Sequence, residues 1–597
     1  MNKGKNSQIN GIIDVGGLRF KLMDDILTDD IKSTEEFKKL NKKIERRISY
    51  YSLDSLLLII HDFFLSDVGK KYPPFIPAMI TKYAILNSNM HSGWFPMWED
   101  DLIPIMKMVA DCSVYDPDFD LSNKSSEEKD ENSASFLLRK IGSQSRLDPQ
   151  IRLGGTIYFY EEMVKDKNAP PFIKELLNSQ FEKLFGVSIF DFLKIGFLLF
   201  ASSSDPTHKG GLTGEYFEDA RKQGISIPNN EVVNNCLKQL ACDQYQFREI
   251  CIKSKSKEEY YKSYEMNPLL KYPIIRIWNP NKQNNPKDDK FIAPVPNLLI
   301  YRLTTGLYYQ LFNMNEGEKE KFSMEFGKLF ESYTGVLLRW YELPGEILSE
   351  DEIKIHIPGY KKKGIKIPDW VIFCEEGVIL IECKATRYSQ DMYEQGLKAK
   401  ANSCIKQIKK GIIQMNEFEK QIPGLCLKFG KNYANLQVQR IIVTYENLPG
   451  LRGGSLKKYV DREMIEKGHS TKWKTFWIGE LEEIQPYITG GANFWSFLID
   501  IENKGLDVIL KEMECKTNAS FSDGILYKYQ KKLFSELMKN IDEHSERSTN
   551  VPDLSEAKSG GFVMNIFFLR KLRINVSWMQ SDERLGFRRR REAMKNK

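Results

Sequence analysis

Three residues in the second half of the chain have the types and spacing for hydrolytic chemistry: Asp369, Glu382 and Lys384. They lie in Ile367-Pro368-Asp369-Trp370-Val371-Ile372-Phe373, then Cys374-Glu375-Glu376-Gly377, then Val378-Ile379-Leu380-Ile381-Glu382-Cys383-Lys384. Two apolar runs around a short polar turn with Gly predict a β-hairpin. Strand side chains alternate between faces, so Glu382 and Lys384 share one. In the antiparallel hairpin Asp369, near the start of the first strand, meets Glu382, near the end of the second. Two carboxylates and an ammonium then converge at one sheet edge. Carboxylates suit a hard divalent cation, Mg2+ or Mn2+, which polarises a phosphate and lowers the pKa of a bound water. A neighbouring lysine orients that water or stabilises developing negative charge.

Other Asp/Glu-x-Lys triplets, such as Asp30-Ile31-Lys32, Glu36-Phe37-Lys38 and Glu352-Ile353-Lys354, lack this context. The pair Pro552-Asp553 and Glu556-Ala557-Lys558 leaves no room for two strands. A buried carboxylate is costly unless paired or metal-bound, and Glu382 follows four aliphatic residues. The alternative is a structural salt bridge from Lys384 to Glu382 or Asp369.

The elements that must position these residues are read from periodicity. Residues 1–290 are predicted to be a mainly helical accessory or regulatory domain, with Leu53, Leu56, Leu57, Ile60 and Phe64 at helical spacing. Ser122 to Ser135 is charged and Ser-rich, the composition of an exposed loop or disordered insertion. Asn279 to Pro286, rich in Asn and Pro, is the strongest domain boundary. Residues 291–500 are predicted as an α/β domain. It comprises a helix through Phe322, Phe326, Leu329, Tyr333 and Leu337, strands at Ile353–Ile357, Ile367–Phe373 and Val378–Lys384, and a helix within Gln390–Lys420. Strands at Arg440–Tyr445 and Phe476–Ile478 complete a mixed sheet flanked by helices. Residues 501–597 form a mostly helical extension, with an aliphatic run at Phe562–Leu569 that could be a strand and a basic tail at Arg588, Arg589, Arg590 and Arg591.

Pro368-Asp369 followed by Glu382-Cys383-Lys384 resembles the active site of the PD-(D/E)xK, restriction-endonuclease-like nuclease superfamily. The resemblance implies that Asp369 and Glu382 bind the metal, that the Cys383 carbonyl is a further ligand and that Lys384 is the catalytic lysine. Many members carry another glutamate on the helix before the first strand. Glu331 fits that place, four residues from both Gly327 and Gly335, whose missing side chains would let the helix approach the sheet. Members often place a glutamine or lysine on the helix after the motif, a role open to Gln407 or Gln395. The resemblance covers about a third of the chain and implies a restriction-endonuclease-like α/β core. Its implied function is metal-dependent cleavage of DNA, by analogy in a restriction or anti-phage effector that cuts as a dimer. A protein partner would act through the N-terminal domain. The rival expectation is an inactive nuclease fold serving nucleic-acid binding or assembly.

Basic clusters supply phosphate contacts in this reading. Lys398, Lys400, Lys406, Lys409 and Lys410 lie in a stretch without acidic residues, and Lys361, Lys362 and Lys363 precede the Asp369 strand. The net charge of +6 is too mild to indicate nucleic acid by itself. His356, on the expected first strand, is read as a strand residue. The nine dispersed cysteines contain no Cys-x-x-Cys pair, which argues against a zinc ribbon and suits a reducing cytosol. The apolar runs Leu56 to Leu65 and Ile189 to Phe200 are too short to span a bilayer and carry charges, so they are read as buried helices of a cytoplasmic protein with no membrane partner. The absence of G-x-x-x-x-G-K-[ST], His-Glu-x-x-His and G-x-S-x-G removes nucleotide motors, zinc peptidases and α/β-hydrolases from contention.

Overall fold

The side chains of the Asp369 hairpin require a sheet covered on both faces, and a computed structural model of the chain shows how that cover is built. It describes residues 12–545, apart from 16–17, 22–32, 115–124, 136–148, 206–210, 255–264, 278–288, 388–396, 398–401, 431–435 and shorter stretches. The basic tail at Arg588–Arg591, the run Phe562–Leu569, Gln395, Lys398 and Lys400 lie outside the described residues.

The chain is mixed α/β. A hairpin of β1 (Ile12–Val15) and β2 (Leu18–Lys21) precedes four helices, α1 (Thr34–Ile48), α2 (Leu53–Leu65), α3 (Phe75–Asn87) and α4 (Ile103–Val114). Helices α5 (Pro149–Ile157) and α6 (Ile189–Ser203) follow. The two apolar runs singled out above form α2 and α6, both buried, and no single helix among the described residues is long and apolar enough to cross a membrane. The N-terminal half is not purely helical. Strands β3 (Leu212–Thr213), β4 (Ala241–Asp243), β5 (Ile274–Ile277) and β6 (Lys290–Ile292) form a mixed sheet in the order β3-β6-β5-β4. Strands of two to four residues are too short to show a period of two.

The five-stranded sheet follows. Helix α7 (Lys319–Trp340) leads into β7 (Glu346–Ser349), α8 (Glu350–His356), β8 (Trp370–Phe373) and β9 (Gly377–Lys384). Then come α9 (Asn402–Phe418), β10 (Gln437–Thr444), α10 (Ser455–Glu466), β11 (Lys474–Trp477) and α11 (Ile478–Thr489). The strand order is β11-β10-β9-β8-β7, antiparallel across β7, β8 and β9 and parallel across β9, β10 and β11. The hairpin forms as expected, closing at Phe373 opposite Val378 with the Cys374 N–H donating to the Gly377 carbonyl at 3.0 Å. Ile372, Ile379 and Ile381 face a core with α7, whereas Val371, Leu380 and Ile442 face a second core with α9 and α10.

One expected strand is a helix. Ile353, Ile355 and Ile357 alternate as in a strand, but Ser349 and Glu352 form a capping box that starts α8, and the acidic first turn suits the helix dipole. The strand lies just before it, at β7. His356 therefore ends a helix; its ring packs on Phe429 at 4.8 Å.

Packing does not break near residue 290. The breaker lies between β5 and β6, which pair antiparallel, and Leu153, Phe192 and Ile274 share one core with Phe326, Ile381 and Val443. The chain after 500 also returns to the N-terminal helices. In α12 (Ile525–Ser545) Leu526 backs onto Gly154, Leu537 O accepts from the Ser226 N–H at 2.7 Å, and Lys532 pairs with Glu162 at 3.0 Å. Within the stretch expected to be exposed or disordered, Ala134 is buried against Leu397 and Ile405, and Ser135 Oγ accepts from the Leu397 N–H.

A buried ion pair joins these parts. Arg152 of α5 donates to Glu482 of α11 at 2.5 Å, and the same carboxylate oxygen accepts the Tyr333 hydroxyl of α7 at 2.7 Å. Removing one partner of such a pair strands the other charge in the core. Arg152→Met is expected to destabilise the protein by about 3–5 kcal/mol, and Arg152→Met with Glu482→Leu to recover much of it, read as the midpoint of urea unfolding. Equal losses in the single and double variants would show that the stranded Glu482 charge is not the source of the loss.

Candidate metal centre

The register of β8 against β9 sets the centre. Trp370 lies opposite Ile381, which places Asp369, one residue earlier, opposite Glu382. Asp369 Oδ2 accepts from the backbone N–H of Cys383 at 2.6 Å. In a strand the N–H and C=O of one residue leave on the same side. The Cys383 carbonyl thus points to the side where β8 has ended, towards Asp369.

Two further carboxylates reach Asp369. Glu331, midway along α7, and Glu350, the first residue of α8, each bring an oxygen within 4.8 Å of each other and of an Asp369 oxygen. The Glu350 N–H also donates to the Asp369 carbonyl at 2.9 Å, which ties the start of α8 to the strand. Glu350 was not foreseen, because the strand reading of 353–357 gave it no place. The capping box at Ser349 and Glu352 was the sequence signal for it.

Helix α7 comes close because of one glycine, not two. A Cβ on Gly335 would strike the indole of Trp370, whereas one on Gly327 would meet nothing within 4 Å. The indole of Trp370 fills that notch, donates its N–H to the Glu331 carbonyl at 3.1 Å and carries the Arg339 guanidinium 4.8 Å from its ring.

Beside Asp369 and beneath α9, Glu382 is 2% exposed and paired with Lys384, so the ion pair that was the alternative reading is formed. Its second oxygen accepts from Gln414 Nε2 at 2.9 Å, and the same amide donates to the Ile367 carbonyl at 2.7 Å. Gln414, not Gln407, is the glutamine of α9 that touches the site. Gln407 is exposed two turns earlier on the same helix face. Gly411 lies between them, where a Cβ would stand 3.1 Å from Glu382 Cγ and 3.2 Å from Lys384 Cε. Of the basic residues on α9, Lys406 and Lys410 are exposed, while Lys409 is bound to Glu463 and withdrawn from phosphate contact. Lys361, Lys362 and Lys363 are exposed in the turn before β8.

The electrostatics are those of a site short of positive charge. Glu331, Glu350, Asp369 and Glu382 converge on Lys384 and on Lys354, which reaches Glu350 at 3.0 Å and Asp351 at 2.7 Å. Burial, then the charges of Asp369 and Glu350, push the Glu331 carboxyl up to about 8. Burial also raises Asp369, against the pull of Lys384 and the Cys383 N–H. Glu382 is raised by burial and by Asp369 more than Lys384 lowers it. Burial alone would lower Lys384, but Glu382 and Asp369 outweigh it and keep the ammonium protonated. Oxygen donors clustered with too little positive charge fit a hard divalent cation such as Mg2+ or Mn2+. The described cysteines near the site do not: burial holds the Cys383 thiol well above its usual range.

Comparison with known proteins adds no relative: no family model, no curated protein and no solved structure matches the chain.

A cation that must displace a proton from Glu331 binds more tightly as the pH rises towards about 8. In the metal-free protein the sign is opposite. A raised carboxyl pKa means that the folded state holds the proton better than the unfolded chain, so this contribution is present at low pH and lost as the pH rises through about 8. Glu331→Gln, which cannot ionise, is expected to melt several degrees above the wild type at pH 8 without metal. It is also expected to lose most of the stabilisation that Mn2+ gives the wild type. Thermal melts with and without Mn2+ across neutral and mildly alkaline pH test both signs; a variant that melts below the wild type at pH 8 would contradict them.

Proposed function

We propose that the chain is a metal-dependent nuclease of the restriction-endonuclease-like type that hydrolyses phosphodiester bonds, with DNA the expected substrate. The observation that carries this reading is the convergence of Asp369, Glu331 and Glu350 beside the Glu382–Lys384 pair at one sheet edge. A salt bridge alone would need only Glu382 and Lys384. It leaves unexplained why Glu331 and Glu350 are brought onto Asp369 against their mutual repulsion. The element order also supports the reading: a helix, three antiparallel strands, a helix and two further strands parallel to the third, with α8 and α10 interposed.

Asp369, Glu331 and Glu350 would hold the cation, with the Cys383 carbonyl and Glu382 at its margin. A bound Mg2+ or Mn2+ supplies Lewis-acid polarisation of the phosphate and a water of lowered pKa. Lys384 stays protonated, so its role is that of a fixed cation facing the charge that develops on the phosphoryl oxygens, not that of a base. Glu382 and Gln414 hold its ammonium in place, and Gly411 lets α9 close over them. The Cys383 N–H fixes one oxygen of Asp369 and leaves the other for a ligand.

Asp369→Ala, Glu382→Ala and Lys384→Ala are each expected to lower cleavage by about 100-fold or more. The assay incubates supercoiled plasmid, single-stranded DNA and RNA with Mg2+, Mn2+ or EDTA. Cleavage retained in all three variants, or undiminished by EDTA, would overturn the assignment. A wild type that cuts nothing, and that gains no Asp369-dependent thermal stability from Mn2+, would instead favour an inactive scaffold.

A further inference from the structure

Beyond Lys384 the chain does not leave the sheet at once. The Lys384 carbonyl accepts from the Tyr445 N–H at 3.3 Å and the Thr386 carbonyl from the Glu446 N–H at 3.4 Å, so residues 385–387 run on beside the end of β10. At strand rise this carries Arg387 roughly 10 Å past Lys384. By alternation Arg387 shares a face with Cys383 and Ala385, which pack on the α7 side of the sheet.

There the guanidinium rests on a prepared floor. Its carbon lies 4.1 Å from the ring centre of Tyr308 and 4.8 Å from that of Phe312. Those two rings are stacked with centres 5.9 Å apart, and Tyr308 is wedged against Phe322 and Phe326. Lys319 Nζ stands 5.3 Å from the same Phe312 ring, a second cation at the corner. Among the described residues Arg387 has no hydrogen-bond or ion-pair partner, and the nearby Glu446 carboxylate accepts the Tyr309 hydroxyl at 2.8 and 3.0 Å. A half-buried guanidinium held on aromatic faces, its donor fork taken by none of the described residues, is pre-organised for an oxyanion.

We propose that Arg387, with Lys319 beside it, is a phosphate-binding site that grips the nucleic-acid backbone a nucleotide or two from the bond cut at Asp369 and Lys384. This rests on the nuclease reading. A polymer of regularly spaced phosphates is the ligand class that can engage the carboxylate centre through its cation and this guanidinium at once. Arginine is required for the bidentate fork, and the ring floor fixes its direction.

The test is binding of short, labelled single strands of DNA and of RNA in EDTA, followed by fluorescence anisotropy over a range of NaCl. Arg387→Met is expected to bind about tenfold more weakly with a salt slope smaller by about one, the loss of one charge-assisted phosphate contact. Arg387→Lys should keep the slope and recover only part of the affinity. The Asp369-dependent thermal gain from Mn2+ should be unchanged in both, which reports that they are folded. Arg387→Met equal to the wild type in affinity and slope would overturn this site and leave the nuclease reading standing. A wild type that binds neither nucleic acid would likewise overturn this site, whereas the nuclease reading stands or falls on the metal-dependent cleavage of plasmid, single-stranded DNA or RNA.

Discussion

The alignment of β8 with β9 is the constraint on which the rest depends. Side chains alternate with a period of two, so a slip of one residue would send Asp369 to the face opposite Glu382 and part the two halves of the centre. Contacts on both faces hold the register. Ile372, Ile379 and Ile381 pack under α7, Val371 and Leu380 under α9, and the tight turn at Cys374 to Gly377 fixes the end of the hairpin. Two polar bonds then check the open end. The Cys383 N–H reaches Asp369, and Gln414 bridges the Ile367 carbonyl to Glu382, so either strand moving alone breaks one of them.

The parts of this arrangement that local sequence could reveal are those written in a single stretch. The hairpin, Asp369, Glu382 and Lys384 lie within sixteen residues, with apolar runs long enough to be read as strands. Glu331 was reachable through the helix glycines, although only Gly335 does the work assigned to both. What escaped has physical reasons. The isoleucines at 353, 355 and 357 alternate like a strand, yet the capping box at Ser349 decides for a helix and so delivers Glu350. Gln407 and Gln414 share one face of α9, and only the depth of packing at Gly411 selects the second. The Asn- and Pro-rich segment near 280 reads as a linker, but its flanking strands pair across it, a non-local fact that composition does not carry.

The same non-local packing changes what the N-terminal residues are for. Helix α7 carries the Glu331 carboxylate, and its position is fixed from two directions. In front, the Trp370 indole sits in the Gly335 notch and bonds the Glu331 carbonyl. Behind, Tyr333 joins Arg152 and Glu482 in a buried network. That network is incompletely satisfied, since Arg152 Nε and Glu482 Oε2 have no hydrogen-bond partner among the described residues. A half-satisfied buried network contributes little stability for its size, and specifying one arrangement is the better-attested use of such groups. Here the arrangement specified is the setting of α7 between α5 and α11. The helices before residue 290 are thus part of the frame that aims Glu331, and not a separate layer attached to a finished domain.

Glu331, Glu350 and Asp369 are pressed together with one lysine at the rim and one engaged by Glu382, and burial raises the carboxyl pKa of Glu331 and of Asp369 instead of relieving the repulsion. Local rules of foldability are expected to fail where a chain is built to bind something, and the cost is met by the rigidity of the surroundings. The surroundings here are rigid in that sense: a notch filled by tryptophan, a capped helix start bonded to the Asp369 carbonyl, and a glycine that admits α9. A cation arriving among these oxygens would relieve the repulsion that the frame enforces. Under the proposed metal reading, the groups whose mutual repulsion costs the fold stability would be the ones that a hard divalent ion stabilises.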